Sequence, residues 1–283
     1  MIYLIDLKAQ AYRAHHGFSK APLLDSRGEH VSALYGVTSA LLTIRCMSDL
    51  TAWACAWDLP APTFRHAIYP EYKANRSPMP DDLARQLPLV RQMCTALRVP
   101  IIAERGYEAD DVMASLTRMA FPEPVAIVSP DKDLYCLLDD RVSALVLRGA
   151  SETPVWTRPE DIHAKWGIEP VQVPDMLALM GDSADGIPGV AGIGEKNAAR
   201  LIAAYGDLAG VYASLDSESR RIALLLTAGR ASAYQARELV QLCTDLRFPP
   251  LVLDEPDWSA VQELADAHGL GERVRWLLAK EAA

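Results

Sequence analysis

Residues 106–111, Gly106-Tyr107-Glu108-Ala109-Asp110-Asp111, place three carboxylates within four positions. Like charges this close raise one another's pKa and destabilise a compact state unless cations neutralise them. Val99 to Ala103 reads as a short buried strand, and Val112, Met113, Leu116 and Met119 follow at helical spacing. The acids therefore sit at a strand-to-helix junction. A helix start favours negative charge by only ~0.3–1 kcal/mol per group, too little to account for three carboxylates. An acid-rich first turn is the simpler reading of these six residues taken alone. A hard divalent metal ion is the other, and acids elsewhere decide between them.

Four more clusters follow apolar runs: Asp6 after Ile2-Tyr3-Leu4-Ile5, Asp58 after Ala52 to Trp57, Asp131 and Asp133 after Val125 to Val128, and Asp182 and Asp185 after Met176 to Met180. In a parallel α/β sheet the carboxyl ends of the strands share one edge, where ligands bind. Acids distant in sequence are thus expected to converge there.

The chain has 283 residues, half of them hydrophobic, enough for one large domain or two. No apolar run approaches the roughly 20 residues needed to span a bilayer, and the first residues do not resemble a signal peptide, so a cytoplasmic protein without a membrane partner is expected. Five scattered cysteines, mostly in apolar segments, lack zinc-site spacing and read as reduced core residues. The net charge of -9 argues against phosphate binding until the nine clustered acids are set aside, which leaves -9 + 9 = 0.

Met1 to Leu7 reads as the first strand, followed by a turn or short helix with Tyr12, Arg13 and His15. Val31 to Met47 reads as a helix and Thr51 to Trp57 as the second strand, an alternation that points to a parallel sheet. The excursion from Leu59 to Pro100 is rich in proline and basic residues, with a helix expected near 81–98. Within it, Tyr69-Pro70-Glu71-Tyr72-Lys73-Ala74-Asn75-Arg76 mixes rings and cations in a way that suits bases and phosphates, a solvated loop being the plainer reading. A strand at 124–129 and a short helix from Asp131 follow, and Val142 to Leu147 is expected to complete the sheet. Val171 to Met180 suits a helix ending at Gly181.

Glycines at 186, 189, 192 and 194 then lead into a helix running to about Tyr205. Such a turn presents unpaired N–H groups that hold a phosphate without reading its base. Lys196 and Arg200, four apart, share one helix face. A P-loop is discarded because no Gly-Lys-Ser/Thr ending is present. Residues 207–283 read as helical throughout, with Leu208, Val211, Leu224 to Leu226, Leu239, Val240, Leu264, Val274 and Leu277 as core.

Taken together, Leu4-Ile5-Asp6, the Asp58 strand end, the 69–76 segment, Gly106 to Asp111, Asp131-Lys132-Asp133, Gly181 to Asp185 and Ile187 to Lys196 resemble the 5'-nuclease (flap endonuclease) family, most closely the 5'-3' exonuclease domain at the amino end of bacterial DNA polymerase I. That resemblance implies an α/β, PIN-like fold: a central, mostly parallel sheet flanked by helices over residues 1–180, a helical arch at about 69–98, and a C-terminal helical DNA-binding subdomain over 181–283 with a helix-hairpin-helix-like motif at about 186–206. It places Asp6, Asp58, Glu108, Asp110, Asp111, Asp131, Asp133, Asp182 and Asp185 on metal-site positions, with Glu108, Asp110, Asp111 and Asp131 innermost. Lys73 and Arg76 fall on basic arch positions near the scissile phosphate. Catalytic roles are expected for Lys73, Arg76 and Asp111, and DNA contacts for Arg13, Tyr72, Lys73, Arg76, Gly189, Gly192, Gly194, Lys196 and Arg200.

The implied activity is structure-specific hydrolysis of DNA at 5' flaps and 5' ends. Two or more Mg²⁺ ions, with Mn²⁺ able to substitute, would activate water and stabilise the leaving oxygen, and K⁺ is expected at the 186–194 turn. Expected partners are branched or nicked duplex DNA, RNA primers in RNA–DNA hybrids and a DNA polymerase, with the chain itself a monomer. Ser129-Pro130, Gly186 and Lys8 depart from the family pattern. A catalytically silent DNA-junction binder and a PIN-like RNase are the rival functions.

Overall fold

The computed structural model describes residues 1–147 and 153–281. β1 (Ile2–Asp6) leads directly into α1 (Leu7–Gly17), whose first turn is capped by the Asp6 carboxylate accepting from Ala9 N. The turn or short helix expected around Arg13 is thus an eleven-residue helix. α2 (Ser32–Arg45), β2 (Ala52–Ala56), α3 (Phe64–Ile68), α4 (Asp81–Ala96) and β3 (Ile101–Ile102) follow, then α5 (Ala109–Met119), β4 (Val125–Val128), a 3-10 turn at Lys132–Leu137 and β5 (Val142–Val146). β5 does not complete the sheet as expected. A short β6 (Val155–Thr157) pairs with it antiparallel, because an open edge strand left unpaired invites association. β3 is shorter and less buried than the sequence suggested, since it forms the opposite edge.

Strand order is β3-β2-β1-β4-β5-β6, parallel apart from β6. The order reverses between β1 and β4, and the crevice at such a reversal, beyond the carboxyl ends, is where this sheet class binds ligands. Alternation along β1 explains the two-sided core: Tyr3 and Ile5 face one layer, Leu4 the other. The layer on Tyr3 and Ile5 holds α1, α2 and α4. The layer on Leu4 holds α5 and the helices after it: α6 (Pro159–Trp166), α7 (Val173–Met180), α8 (Glu195–Tyr205), α9 (Leu208–Ala213), α10 (Arg220–Ala228) and α11 (Arg230–Val240).

Residues 207–283 are not helical throughout: 241–257 form neither helix nor strand. Three prolines in that stretch, Pro249, Pro250 and Pro256, remove backbone donors and disfavour helix. The stretch carries the chain back to the first layer, where α12 (Trp258–Ala267) and α13 (Gly271–Glu281) bury Val261, Ala265, Leu270 and Val274 beside α2 and α4. Leu224, expected in the core, is exposed, whereas Leu226 is buried. Leu277 lies outside the described side chains. Among the described residues no helix is long and apolar enough to cross a membrane.

Candidate active site

Asp6 ends β1, Asp58 lies two residues beyond β2, Asp131 three beyond β4, and Glu108 caps α5 after β3. Asp182 and Asp185 follow a helix rather than a strand, yet Lys73 N donates to Asp185 O at 2.8 Å and brings that loop to the same edge. Local turns fix each acid. Ala109 N donates to Asp58 Oδ1 at 2.8 Å, Asp133 N to Asp131 Oδ1 at 3.0 Å, and Ala184 N to Asp182 Oδ1 at 2.8 Å. Ser129 Oγ donates to Asp6 Oδ2 at 3.2 Å and accepts from Asp131 N at 3.2 Å, so this departure from the family pattern itself joins the ends of β1 and β4.

The middle of the cluster is Asp6, Asp110 and Asp131. Burial and the neighbouring Asp131 and Asp6 charges push the Asp110 carboxyl well above its usual range. Burial, then Asp58 and Asp131, raise Asp6 to about 6, and burial beside Asp131 raises Asp133 to about 6. Among the described residues no basic side chain lies within ion-pair distance of Asp6, Asp110 or Asp131.

Cations hold the outer acids. Lys73 Nζ is 2.7 Å from Glu108 Oε1 and 3.5 Å from Asp185 Oδ2, and Arg76 Nη2 pairs with Asp185 Oδ1. Burial opposes the Lys73 charge, but Glu108 and Asp185 keep its pKa above the usual value. Lys132 Nζ spans Asp133 Oδ1 at 2.9 Å and Asp182 Oδ2 at 2.5 Å; burial works to raise Asp182, yet Lys132 holds it below the carboxylate norm. Lys8 lies 3.7 Å from Asp58. Lys8, a departure from the family pattern, thus sits beside the acids, whereas Lys132 was not expected to pair with them. For Lys132 the signal was present, a lysine flanked by two of the clustered aspartates.

Two expected site residues stand elsewhere. Asp111 is fully buried, and its two oxygens accept from Arg65 Nη1 (2.7 Å), Arg65 Nη2 (2.9 Å), Glu108 N (3.0 Å) and Cys243 N (2.9 Å). With every accepting direction engaged by protein, Asp111 has no free oxygen left for a metal or substrate in this arrangement, unlike the innermost ligand and catalytic group expected. Tyr72, expected at DNA, is 3% exposed and donates its hydroxyl to Glu108 Oε2 at 2.9 Å, so its ring has no face open to a base. Arg65 was missed as more than one basic residue among several in a proline-rich excursion; no local pattern marks it as buried.

Arg13 lies on α1 with its Nη1 buried and without a protein partner. Lys196 and Arg200 share a face of α8 and line a cleft of about 400 Å³ with Lys165 and Trp166. Arg200 is already bidentate to Glu218 at 2.7 and 2.9 Å. In the glycine-rich turn, Gly189 packs directly on the Gly181 backbone, Gly192 needs its φ of +84°, and Gly194 caps α8 in open space. Ser232 Oγ lies 2.9 and 3.0 Å from the Pro188 and Gly189 carbonyl oxygens. Gly186, a departure from the family pattern, adopts φ +68° against Glu71 and Asn75.

The described residues contain no ready-made set of three His, Cys, Asp or Glu side chains converging on one point. The donors are nonetheless all oxygen, and among the described residues the central ones have no cation within ion-pair distance. That chemistry fits a hard divalent ion held partly through water.

The family model for the 5'-3' exonuclease N-terminal resolvase-like domain matches residues 1–167, and that for the C-terminal SAM fold matches 168–262. DNA polymerase I of Treponema pallidum is 36% identical over 249 residues, 87% of this chain and 25% of that protein. The thermostable DNA polymerase I of Thermus thermophilus is 39% identical over 255 residues, 89% of this chain and 29% of that protein. The chain therefore spans less than a third of the curated relatives it matches. T5 5'-exonuclease with bound zinc superposes with a TM-score of 0.72 at 21% identity over 98% of both chains. The catalytic core of Rad2 in complex with DNA substrate superposes with 0.66 at 14% identity, over 99% of this chain and 92% of the other. At those identities the likeness is one of fold, whereas the matched family models and the polymerase relatives show that the chain belongs to the 5'-3' exonuclease family of 5' nucleases.

Proposed function

We propose that the chain hydrolyses DNA phosphodiesters at 5' flaps and 5' ends in replication and repair, with divalent metal ions held by Asp6, Asp58, Glu108, Asp110, Asp131, Asp133, Asp182 and Asp185. The observation that carries this reading is the gathering of eight carboxylates at one sheet edge, the three central ones without a basic group at ion-pair distance among the described residues. A module that only bound DNA would gain nothing from negative charge facing phosphate. When bound, divalent ions supply an activated water and stabilise the departing oxygen of a phosphodiester.

The chain's own residues orient and neutralise. Lys73 and Arg76, held in place by Glu108 and Asp185, offset negative charge on the phosphate undergoing attack. Ser129 keeps Asp6 and Asp131 in register, and Lys132 does the same for Asp133 and Asp182. Gly194 and the first amides of α8, with Lys196, grip the backbone of the downstream duplex without reading sequence. Arg13 adds a cation on α1. The division we adopt is a nuclease unit over 1–180 with an arch at 69–98, and a duplex-gripping unit that begins at 181, its last helices α12 and α13 packing back on α2 and α4 of the nuclease unit.

Mg²⁺ suits the all-oxygen donors, and Mn²⁺ would substitute. A K⁺ ion at the 186–194 turn would use carbonyls there other than those facing Ser232. The neighbours T5 5'-exonuclease with bound zinc and Rad2 in complex with DNA substrate support metal and DNA as ligands of this chain. The polymerase relatives support a polymerase as working partner; RNA primers in RNA–DNA hybrids as further substrates and a cytoplasmic setting belong to the same proposal.

Incubating labelled 5'-flap DNA, nicked duplex and RNA–DNA hybrid with Mg²⁺, Mn²⁺ or EDTA tests this. Cleavage of the flap with Mg²⁺ that stops in EDTA is expected. Binding of the flap without cleavage in any ion would leave a silent junction binder, and preference for RNA a PIN-like RNase.

A further inference from the structure

Among the described residues Arg65 is the one cation buried deep in the molecule, 2% exposed, and it lies before the arch on α3. Its guanidinium makes five contacts with three parts of the chain. Nη1 and Nη2 hold both oxygens of Asp111 at 2.7 and 2.9 Å. Nη1 also lies 3.4 Å from Glu108 Oε2. On its other side, Nε donates to Leu239 O at 2.7 Å and Nη2 to Gln241 O at 3.1 Å, at the end of α11. Asp111 repeats this bridging, accepting from Glu108 N at 3.0 Å and from Cys243 N at 2.9 Å. Ser115 extends the seam one turn further along α5, with Oγ donating to Cys243 O at 3.1 Å and accepting from Leu246 N at 3.3 Å.

We propose that Arg65 and Asp111 form a positioning pair which fixes Glu108 in the acid edge by tying the start of α5 to the end of α11 and residues 241–243. The pair touches no substrate and acts through Glu108. A bidentate guanidinium–carboxylate fork sets both distance and plane, which a lysine cannot reproduce. The two carbonyls that complete the Arg65 donor set come from the last turn of α11 and the residue that caps it, so the seat of Glu108 depends on how α11 docks. The proposal rests on the nuclease reading for its rate prediction but not for its geometry.

Three variants separate a positioning pair from a ligand. Arg65→Gln, Asp111→Asn and the double Arg65→Gln/Asp111→Asn are compared for single-turnover cleavage of a 5'-flap DNA, for flap affinity in Ca²⁺, and for Mn²⁺ affinity by electron paramagnetic resonance. A displacement of Glu108 by about 1 Å is expected to lower the cleavage rate ~10²-fold. It is expected to leave flap affinity within about threefold and to weaken Mn²⁺ binding, because Glu108 is a ligand. The double variant is expected to fall no further than the worse single one, since both act through one carboxylate. Arg65→Lys, which keeps the charge and loses the fork, is expected to stay folded and to fall with them, so a folding defect in the glutamine variant does not end the test.

Multiplying effects in the double variant would overturn the proposal, as Asp111 would then bind metal on its own account. So would an Arg65→Lys enzyme with wild-type rate and Mn²⁺ affinity. A wild-type chain that never cleaves but binds Mn²⁺ sinks the nuclease reading alone, and the Mn²⁺ affinities of the variants still decide the pair.

Discussion

Lys73 enters the acid edge with a backbone φ of +58°, a left-handed conformation that non-glycine residues adopt at a cost of order 1–3 kcal/mol. Its amide is held by Asp185 O and its ammonium by Glu108, so the surrounding contacts enforce the strain. Such over-determination is what a group meant to meet a substrate phosphate needs. Lys73→Ala is expected to lower single-turnover flap cleavage ~10²-fold or more while changing flap affinity far less, a contrast that quench-flow and titration in Ca²⁺ measure. The acids at this scale also set a pH dependence. Asp6 and Asp133 titrate near 6 in the folded chain against an ordinary 3.8, chiefly through burial. The native state therefore holds more protons than the unfolded one between those values, and stability falls as pH rises through that window. In EDTA the Tm is expected to drop by about 5 °C from pH 5 to pH 7, and Mg²⁺ at pH 7 is expected to restore it. A metal-free Tm that climbed over that interval would contradict the charge crowding.

At the scale of elements, the glycine-rich turn joins two requirements that look alike in sequence. A Cβ on Gly189 would collide with Gly181 N and the Met180 carbonyl carbon, whereas a Cβ on Gly194 would meet nothing. Gly189→Ala is thus expected to destabilise by about 1–3 kcal/mol in urea unfolding, as overpacking does. Gly194→Ala is expected to stay within ~1 kcal/mol of wild type and to report on the duplex contact instead, through flap affinity at raised salt. The element boundaries were largely legible beforehand. β1, β2, β4, α2, α4, α5 and α7 follow apolar periodicity, which tracks burial on a sheet or helix face. The β6 edge and the 241–257 crossover were not legible, because both are dictated by neighbours: the open edge of β5, and the apolar side of α2 and α4 that α12 and α13 must cover.

At the scale of the whole molecule, the last two helices close the layer against α2 and α4. Deleting residues 258–283 would uncover the apolar side of those helices, and the shortened chain is expected to lose Tm and to aggregate, which scattering and calorimetry would record. The start of α5 and the segment from the end of α11 to Cys243 meet only in the folded chain, at Arg65 and Asp111. Sequence alone determined that strands alternate with helices and that acids gather at strand ends, because burial and charge placement are local properties that repeat along the chain. It could not separate Asp110 from Asp111. Consecutive residues on a helix point about 100° apart, so one carboxylate turns toward Asp131 and Asp6 while its neighbour turns inward to Arg65. Which of the two faces the open edge was decided by tertiary packing, through a buried arginine 46 residues away in sequence.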